Sequence, residues 1–480
     1  MGQAAGLDKL KEECGVIGIY GDSEAANLAY LGLHALQHRG QEGAGIVSNQ
    51  GGEFRSFRGL GLVNDVFRPQ DLEGLVGNMA IGHVRYSTTG ESSIRNVQPL
   101  SASYRYGKVA VAHNGNLVNA ASLKDRLEER GSIFNTSSDT EAILHLIATS
   151  KQTTFVNRLV DALSQVRGAY SLVLLTEDAL IAVRDPMGIR PLVMGERGEA
   201  TIFASESCAL DLLGGDYLRE VQPGEMIIVD RSGRTSLHPF PAEQRKACVF
   251  EHVYFSKPSS ITFGEAVYTR RFDMGRALAR EYPVDADWVF AVPDSGTAAA
   301  LGYSTEAGIP FQQGLLRSHY VGRTFIEPSQ KIRDFGVKLK LSPVRSLIKG
   351  QRVVVVDDSL VRGTTSKKIV RMLREAGAAE IHMRICSPPI VASCFYGVDT
   401  PTREELIAHT KTPEEICAHM EADSLGYLSI DAMHATMGAP REAYCDACFT
   451  GRYPIAVEDH ADEDQLDLFS EPSEDTEARE

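Results

Sequence analysis

Between residues 352 and 366 the chain reads RVVVVDDSLVRGTTS, and here residue type and spacing point most directly to chemistry. Asp357 and Asp358 are adjacent carboxylates, oxygen donors suited to a hard cation or to sugar hydroxyls. Behind them Gly363, Thr364, Thr365 and Ser366 make a small-residue turn into residues 367–376, where Ile369, Val370, Met372 and Leu373 have helical spacing. A helix amino end offers unpaired backbone N–H groups and the positive end of the dipole, so such a turn suits a phosphate. Carboxylates beside a phosphate cradle describe a site for a phosphorylated sugar. A lone acidic pair would read only as a solvated turn after a strand.

That site needs a strand to carry it. Val353 to Val356 are four β-branched residues in a row, as in a parallel strand buried on both faces. Around it, residues 270–282 and 298–307 have helical spacing, and 288–292, ending in PDSGT, 311–316 and 381–387 read as strands. Such alternation predicts an α/β domain over about 245–455, a parallel sheet with helices on both faces and ligands at the carboxyl ends of its strands. The polar, basic run 323–341, with Pro328 and Gly336 as breakers, is expected either to close over that site or to be a solvated loop.

The first half differs. It opens with a polar leader, 1–13, followed by CGVIGIYG from Cys14. Residues 24–37 have helical spacing, Ser137 or Ser138 can cap a helix whose first turn carries Asp139 and Glu141, and YSLVLLT with LIAVRDP reads as a hairpin. Many short strands with few helices predict stacked antiparallel sheets covered by helices, an α+β domain over 14–240.

Composition narrows the setting. An apolar share of 43% and a charged share of 24% are those of a soluble protein, and no apolar run approaches the ~20 residues of a membrane span. No signal peptide is apparent, so the expected location is the cytoplasm. The net charge of −15 is largely local, because eleven acidic residues face only Arg479 between Glu458 and Glu480. Residues 456–480 are therefore expected to form a disordered acidic tail, and nothing suggests nucleic-acid binding. Eight cysteines in a reducing compartment are better read as catalytic, metal-binding or buried than as disulfides. Cys445-Asp-Ala-Cys448 is by itself a weak metal or redox signal.

The strings CGVIGIYG, LQHRGQEGAG, GHVRYSTTG, AHNGNL and SSDTE, in this order, resemble the glutaminase domain of class II glutamine amidotransferases, the amino-terminal nucleophile hydrolases. The resemblance implies that Cys14 becomes the first residue once a 1–13 propeptide is removed. Its thiolate then attacks the glutamine amide, and its α-amine, titrating near ~8, moves the proton. It implies also that Arg85 pairs with the substrate carboxylate, that Asp139 takes the α-ammonium, that Asn114 and the Gly115 N–H form the oxyanion hole, and that Arg39 and Gly40 line the pocket. As encoded, the nitrogen of Cys14 is an amide, so this chemistry requires a cut between Glu13 and Cys14, expected to be autocatalytic.

The string VVVVDDSLVRGTTS resembles the phosphoribosyl pyrophosphate (PRPP) motif of type I phosphoribosyltransferases. The two halves together resemble the amidophosphoribosyltransferases as far as about Pro454. Implied are one Mg²⁺ per subunit held by Ser295, Asp357 and Asp358, partly through PRPP, and a 5-phosphate cradle at Gly363, Thr364, Thr365 and Ser366. Cys248, Cys394, Cys445 and Cys448 match the ligands of the branch that carries one [4Fe-4S] cluster per subunit, a branch that also tends to have the leader. Four thiolates alone would suit zinc equally. Cys208, Cys386 and Cys417 have no such match and are expected in the core, and Tyr254 is expected at the domain junction. The activity implied is glutamine hydrolysis with transfer of ammonia to PRPP, giving 5-phosphoribosylamine, pyrophosphate and glutamate, the first step of de novo purine synthesis. Purine nucleotides as feedback inhibitors and a homotetramer are implied as well. Glucosamine-6-phosphate synthase and asparagine synthetase share the first domain but have no PRPP motif. A non-catalytic PRPP-sensing regulator would not need the glutaminase residues.

Overall fold

The computed structural model describes residues 11–12, 14–86, 93–318 and 341–457. Most of the leader, nearly all of the basic run 323–341 and nearly all of the acidic tail lie outside the described residues.

The first half is a four-layer stack. One seven-stranded sheet has the order β11-β9-β10-β1-β4-β2-β3, from β1 (Gly15–Tyr20), β2 (Gly43–Gln50), β3 (Glu53–Leu60), β4 (Met79–Arg85), β9 (Val193–Arg197), β10 (Ala200–Ala204) and β11 (Asp216–Glu220). A six-stranded sheet, β13-β12-β8-β7-β6-β5, is built from β5 (Leu100–Tyr104), β6 (Gly107–Leu117), β7 (Gly168–Thr176), β8 (Leu180–Arg184), β12 (Met226–Asp230) and β13 (Gly233–Leu237). All these pairings are antiparallel.

The period-2 pattern of side chains explains the layers. Val16, Val47 and Ile81 face Ala110, Ala112, Val173 and Leu175 between the sheets. Ile17, Ile19 and Ile46 point the other way, under α1 (Ala25–Ala35) and α5 (Ser207–Leu213). On the far side, Val109, Val111, Leu172 and Leu174 are covered by α2 (Ala120–Glu128), α3 (Thr140–Thr149) and α4 (Phe155–Leu163).

The second half holds a parallel sheet, β14-β15-β16-β17, of β14 (Trp288–Ala291), β15 (Arg352–Asp357), β16 (Glu380–Ile385) and β17 (Ser424–Tyr427). The valine run is buried on both faces, as its composition requires. Val354 and Val356 pack toward α6 (Val267–Glu281) and α7 (Thr297–Ala307), and Val353 and Val355 toward α8 (Thr364–Glu375) and α9 (Pro413–Met420). Among the described residues, no helix is long and apolar enough to cross a membrane.

Three expectations need correction. The strand expected at 311–316 is not part of the sheet: Phe311 makes a single parallel bridge to Val289, and Leu315–Arg317 pairs antiparallel with Leu341–Pro343. After Phe311 the chain leaves the edge to lie over Phe290, so closely that a Cβ on Gly314 would stand 2.4 Å from the ring. Neither Ser137 nor Ser138 caps α3. Asp139 holds that position and makes no capping bond, and the loop before it is folded onto Glu141, which accepts the N–H groups of Asn135 and Thr136. Cys208 and Cys386 are buried, but Cys417 is half-buried beside a cavity of about 400 Å³ with Pro413 and Leu425, because α9 covers the sheet at its open edge.

The halves share a core. Val118, Ala169 and Ile189 of the first pack with Phe250, Val253, Phe255, Tyr396 and Phe449 of the second. Tyr254 lies at this junction, its ring against Phe250 and Phe255.

Candidate active sites

Cys14 leads into β1 and is buried. Its backbone is held at φ 66°, in the left-handed region that costs a non-glycine residue about 1–2 kcal/mol. Its thiol lies 3.9 Å from the carbonyl oxygen of Tyr86, and its own carbonyl accepts the Arg39 Nε–H at 3.3 Å. Arg39, expected to line a pocket, is wholly enclosed: its guanidinium bonds Glu206 and Glu251, and its contact with the site runs through the Cys14 carbonyl. Gly40 lies against the backbone of β4, where a Cβ would meet the Arg85 nitrogen at 2.6 Å, so it sets the position of Arg85. Arg85 ends β4, 6% exposed, and among the described residues its buried Nη1 has no hydrogen-bond partner. A buried guanidinium nitrogen with nothing to bond is costly, and a substrate carboxylate would satisfy it.

Asn114 and Gly115 sit on β6, opposite Ser171 and Tyr170 of β7. Gly115 has φ 147°, and a Cβ there would stand 2.0 Å from the Ala169 oxygen, so only glycine fits. Asn114 is fully buried, with its Nδ2 3.3 Å from Ser205 Oγ and its Oδ1 without a hydrogen-bond partner among the described residues. Ser205 Oγ already accepts the Val16 N–H, so its own proton is available to an amide oxygen. Turning the Asn114 amide over would satisfy Oδ1 at Ser205 and aim Nδ2 as an oxyanion donor.

Asp139 accepts the Leu117 N–H at 3.0 Å and the Thr140 hydroxyl at 3.2 Å, with His113 Nδ1 3.7 Å away. Burial opposes its charge, but His113 and these donors outweigh it and hold the carboxyl below its usual range. An ionised carboxylate at this spot suits an ammonium. Burial pushes the His83 imidazole down to about 3, and its Nε2 is 3.1 Å from the His113 oxygen. His83 is thus a poor base at neutral pH, and proton transfer falls to other groups.

The second site lies at the carboxyl end of β15. Asp357 and Asp358 are each 2% exposed, Asp357 accepting the Asp358 N–H and Asp358 the Ser359 hydroxyl. The PDSGT loop crosses directly beside them. Val292 N–H bonds the Val356 oxygen, and a Cβ on Gly296 would meet that oxygen at 2.6 Å, which brings half-buried Ser295 alongside the acidic pair. Gly363, at φ 76°, is the N-cap of α8, and Thr364, Thr365 and Ser366 make its first turn. A helix amino end suits an anion, and carboxylate and hydroxyl oxygens suit a hard cation.

Four cysteines converge elsewhere. Cys248 and Cys445 are register partners in a short parallel ladder, and the Cys448 carbonyl accepts the N–H groups of Val391 and Ala392, near Cys394. Burial pushes the Cys445 and Cys448 thiols up, and the neighbouring cysteines, Cys394 among them, push the same way. No described cysteine is in a disulfide. Among the described residues no three Cys, His, Asp or Glu side chains close around one point as a single ion needs. Four thiolates suit either zinc or an iron–sulfur cluster.

Sequence reasoning missed His113, Thr140, Ser205, Glu206 and Glu251. His113 was within reach, being in the AHNGNL string; the carboxylates carry no local signal, because each is brought to Arg39 from a distant part of the chain.

Family models for a glutamine amidotransferase domain and a phosphoribosyl transferase domain match residues 83–212 and 277–386. The chain is 61% identical over 450 residues to the chloroplastic amidophosphoribosyltransferase 1 of Arabidopsis thaliana, covering 93% of this chain and 80% of that one. It is 49% identical to the amidophosphoribosyltransferase of Bacillus subtilis, covering 94% and 96%. The structure of the B. subtilis glutamine PRPP amidotransferase complexed with ADP and GMP superposes with a TM-score of 0.89 at 48% identity, covering 94% of this chain and all of that one.

Proposed function

The chain belongs to the amidophosphoribosyltransferases, the glutamine-dependent PRPP amidotransferases of purine biosynthesis, and on that premise we propose how its two sites divide the reaction. The observation that carries the proposal is the pairing of a Cys14–Arg85–Asn114–Gly115–Asp139 site on stacked sheets with an acidic, phosphate-cradling strand end, across one shared core.

At the first site Arg85 and Asp139 hold the two charged ends of glutamine. The Cys14 thiolate adds to the amide carbon, the Gly115 N–H and Asn114 amide stabilise the oxyanion, and the freed α-amine carries the thiol proton to the leaving ammonia. Water then cleaves the thioester to glutamate. At the second site Thr364, Thr365 and Ser366 bind the 5-phosphate. Ser295, Asp357 and Asp358 would hold Mg²⁺, which when bound neutralises the pyrophosphate leaving group. Ammonia forms the new bond at C1 of the ribose as the bond to pyrophosphate breaks.

We propose further that the leader is removed. The left-handed Cys14 backbone supports this; in the uncut chain the leader residues Lys11–Glu12 pair with Val398–Asp399 of the second half. Intact mass of the active protein should correspond to a chain beginning at Cys14; active enzyme retaining the thirteen residues would refute the cut.

Cys248, Cys394, Cys445 and Cys448 would hold a [4Fe-4S] cluster that ties the start of the second half to its end. Anaerobically purified protein should be brown, with about four irons per chain. Stoichiometric zinc without colour would overturn this. Feedback by purine nucleotides is supported by the ADP and GMP in the B. subtilis relative's structure.

A further inference from the structure

Directly behind Cys14 lies a buried ionic cluster that the reaction above does not use. Arg39, Arg190, Glu206 and Glu251 are all fully buried. Arg39 Nη1 is 2.5 Å from Glu206 Oε1 and 3.1 Å from Glu251 Oε2, and its Nη2 is 2.8 Å from Glu251 Oε1. Arg190 Nη2 is 2.9 Å from the same Glu251 oxygen. Burial works against charge on both carboxyls, but the arginines, with His38 at Glu206, hold them below their usual range.

The cluster joins the halves. Arg39, Arg190 and Glu206 belong to the first. Glu251 opens the five-residue π-helical turn Glu251–Phe255 at the start of the second, and Lys257 N–H and the Ser260 hydroxyl, from the segment after it, bond Glu206. That turn is gripped from behind: Arg271 of α6 donates to the His252 and Ser256 oxygens at 2.8 and 2.7 Å, and Ser256 donates to Glu251. Helices α6 and α7 meet backbone to backbone, since a Cβ on Gly275 would lie 1.9 Å from the Ala299 oxygen and one on Gly302 1.9 Å from the Phe272 oxygen. The PDSGT loop enters α7 directly.

We infer that Glu251 is a positioning residue for the glutamine-hydrolysing nucleophile: through Arg39, whose Nε–H holds the Cys14 carbonyl, the second half of the chain supplies a fixed wall of the first half's site. With both Nη groups committed to carboxylates, Arg39 can present Nε in one direction only, and that bond fixes the Cys14 carbonyl. Removing the Glu251 charge leaves Arg39 and Arg190 partly uncompensated, and Arg39 then re-aims. The inference rests on Cys14 being the nucleophile.

The test is Glu251→Gln in the full-length enzyme, with glutamine- and ammonium-driven pyrophosphate release measured in parallel. The expected result is a fall of about tenfold or more in glutamine-driven kcat, KM for glutamine changing less than about threefold, with ammonium-driven release within about twofold of wild type. Glu251→Asp, which keeps the charge one methylene back, should recover part of the loss. It also serves as the assay if the Gln variant does not fold, and is then itself expected to lose glutamine-driven kcat selectively. Parallel loss of both activities would make Glu251 a structural staple and overturn the inference, as would unchanged glutamine-driven kcat. Glutamine-driven release surviving Cys14→Ala would instead overturn the nucleophile assignment on which it rests.

Discussion

Cys14→Ala should lose glutamine-driven pyrophosphate release by at least about 10⁴-fold and keep release driven by ammonium near wild type. Two features make the separation sharp. The nucleophile is buried at the start of a strand of the first half's sheet, whereas the PRPP residues stand at the end of β15, in a different sheet. The substitution removes only a sulfur atom, next to an arginine already neutralised by two carboxylates, so the fold has no new charge to bury. His83, which burial holds neutral with its pKa lowered to about 3, is too weak a base to stand in for the α-amine. Loss of both activities together would mean that the halves do not act as separate sites.

Asp358→Asn should do the reverse of sparing one activity: release should fall by at least about 10²-fold with either nitrogen source. Asp358 is 2% exposed at the strand end, and its Oδ1 accepts the Ser359 hydroxyl at 2.6 Å. Asparagine keeps that acceptor and the volume but lacks the charge a hard cation and a pyrophosphate leaving group require. Melting temperature should change little, since asparagine brings no new charge into the buried strand end. Ammonium-driven release at wild-type rates would show that the acidic pair binds no reacting group. Cys386, buried directly behind the pair with its thiol held well above the ordinary range, stays protonated and adds no charge of its own.

The sequence by itself determined the elements and the chemistry they carry. Four β-branched residues in a row can be stable only in a doubly covered strand, and Val353–Val356 are covered on both faces. The turn from Gly363 to Ser366 was legible because a left-handed residue before a helix calls for glycine. The strings around Cys14, Arg85, Asn114 and Asp139 marked their residues because each is a short, local run. Local pattern misled where a segment had two neighbours to choose between: 311–316 has strand composition, yet the face of Phe290 drew it off the sheet edge.

Only the tertiary structure decided what those residues lean on. Arg39 reads as a pocket residue in HRGQEGAG, but it is enclosed by Glu206 and Glu251, which lie 167 and 212 positions away along the chain. Asp139 reads as part of a helix start, but its carboxylate is turned to Leu117 and Thr140. The physical reason is the same in both cases. A buried charge must find its opposite wherever the fold brings one within about 3 Å, and neither periodicity nor spacing along the chain encodes that partner.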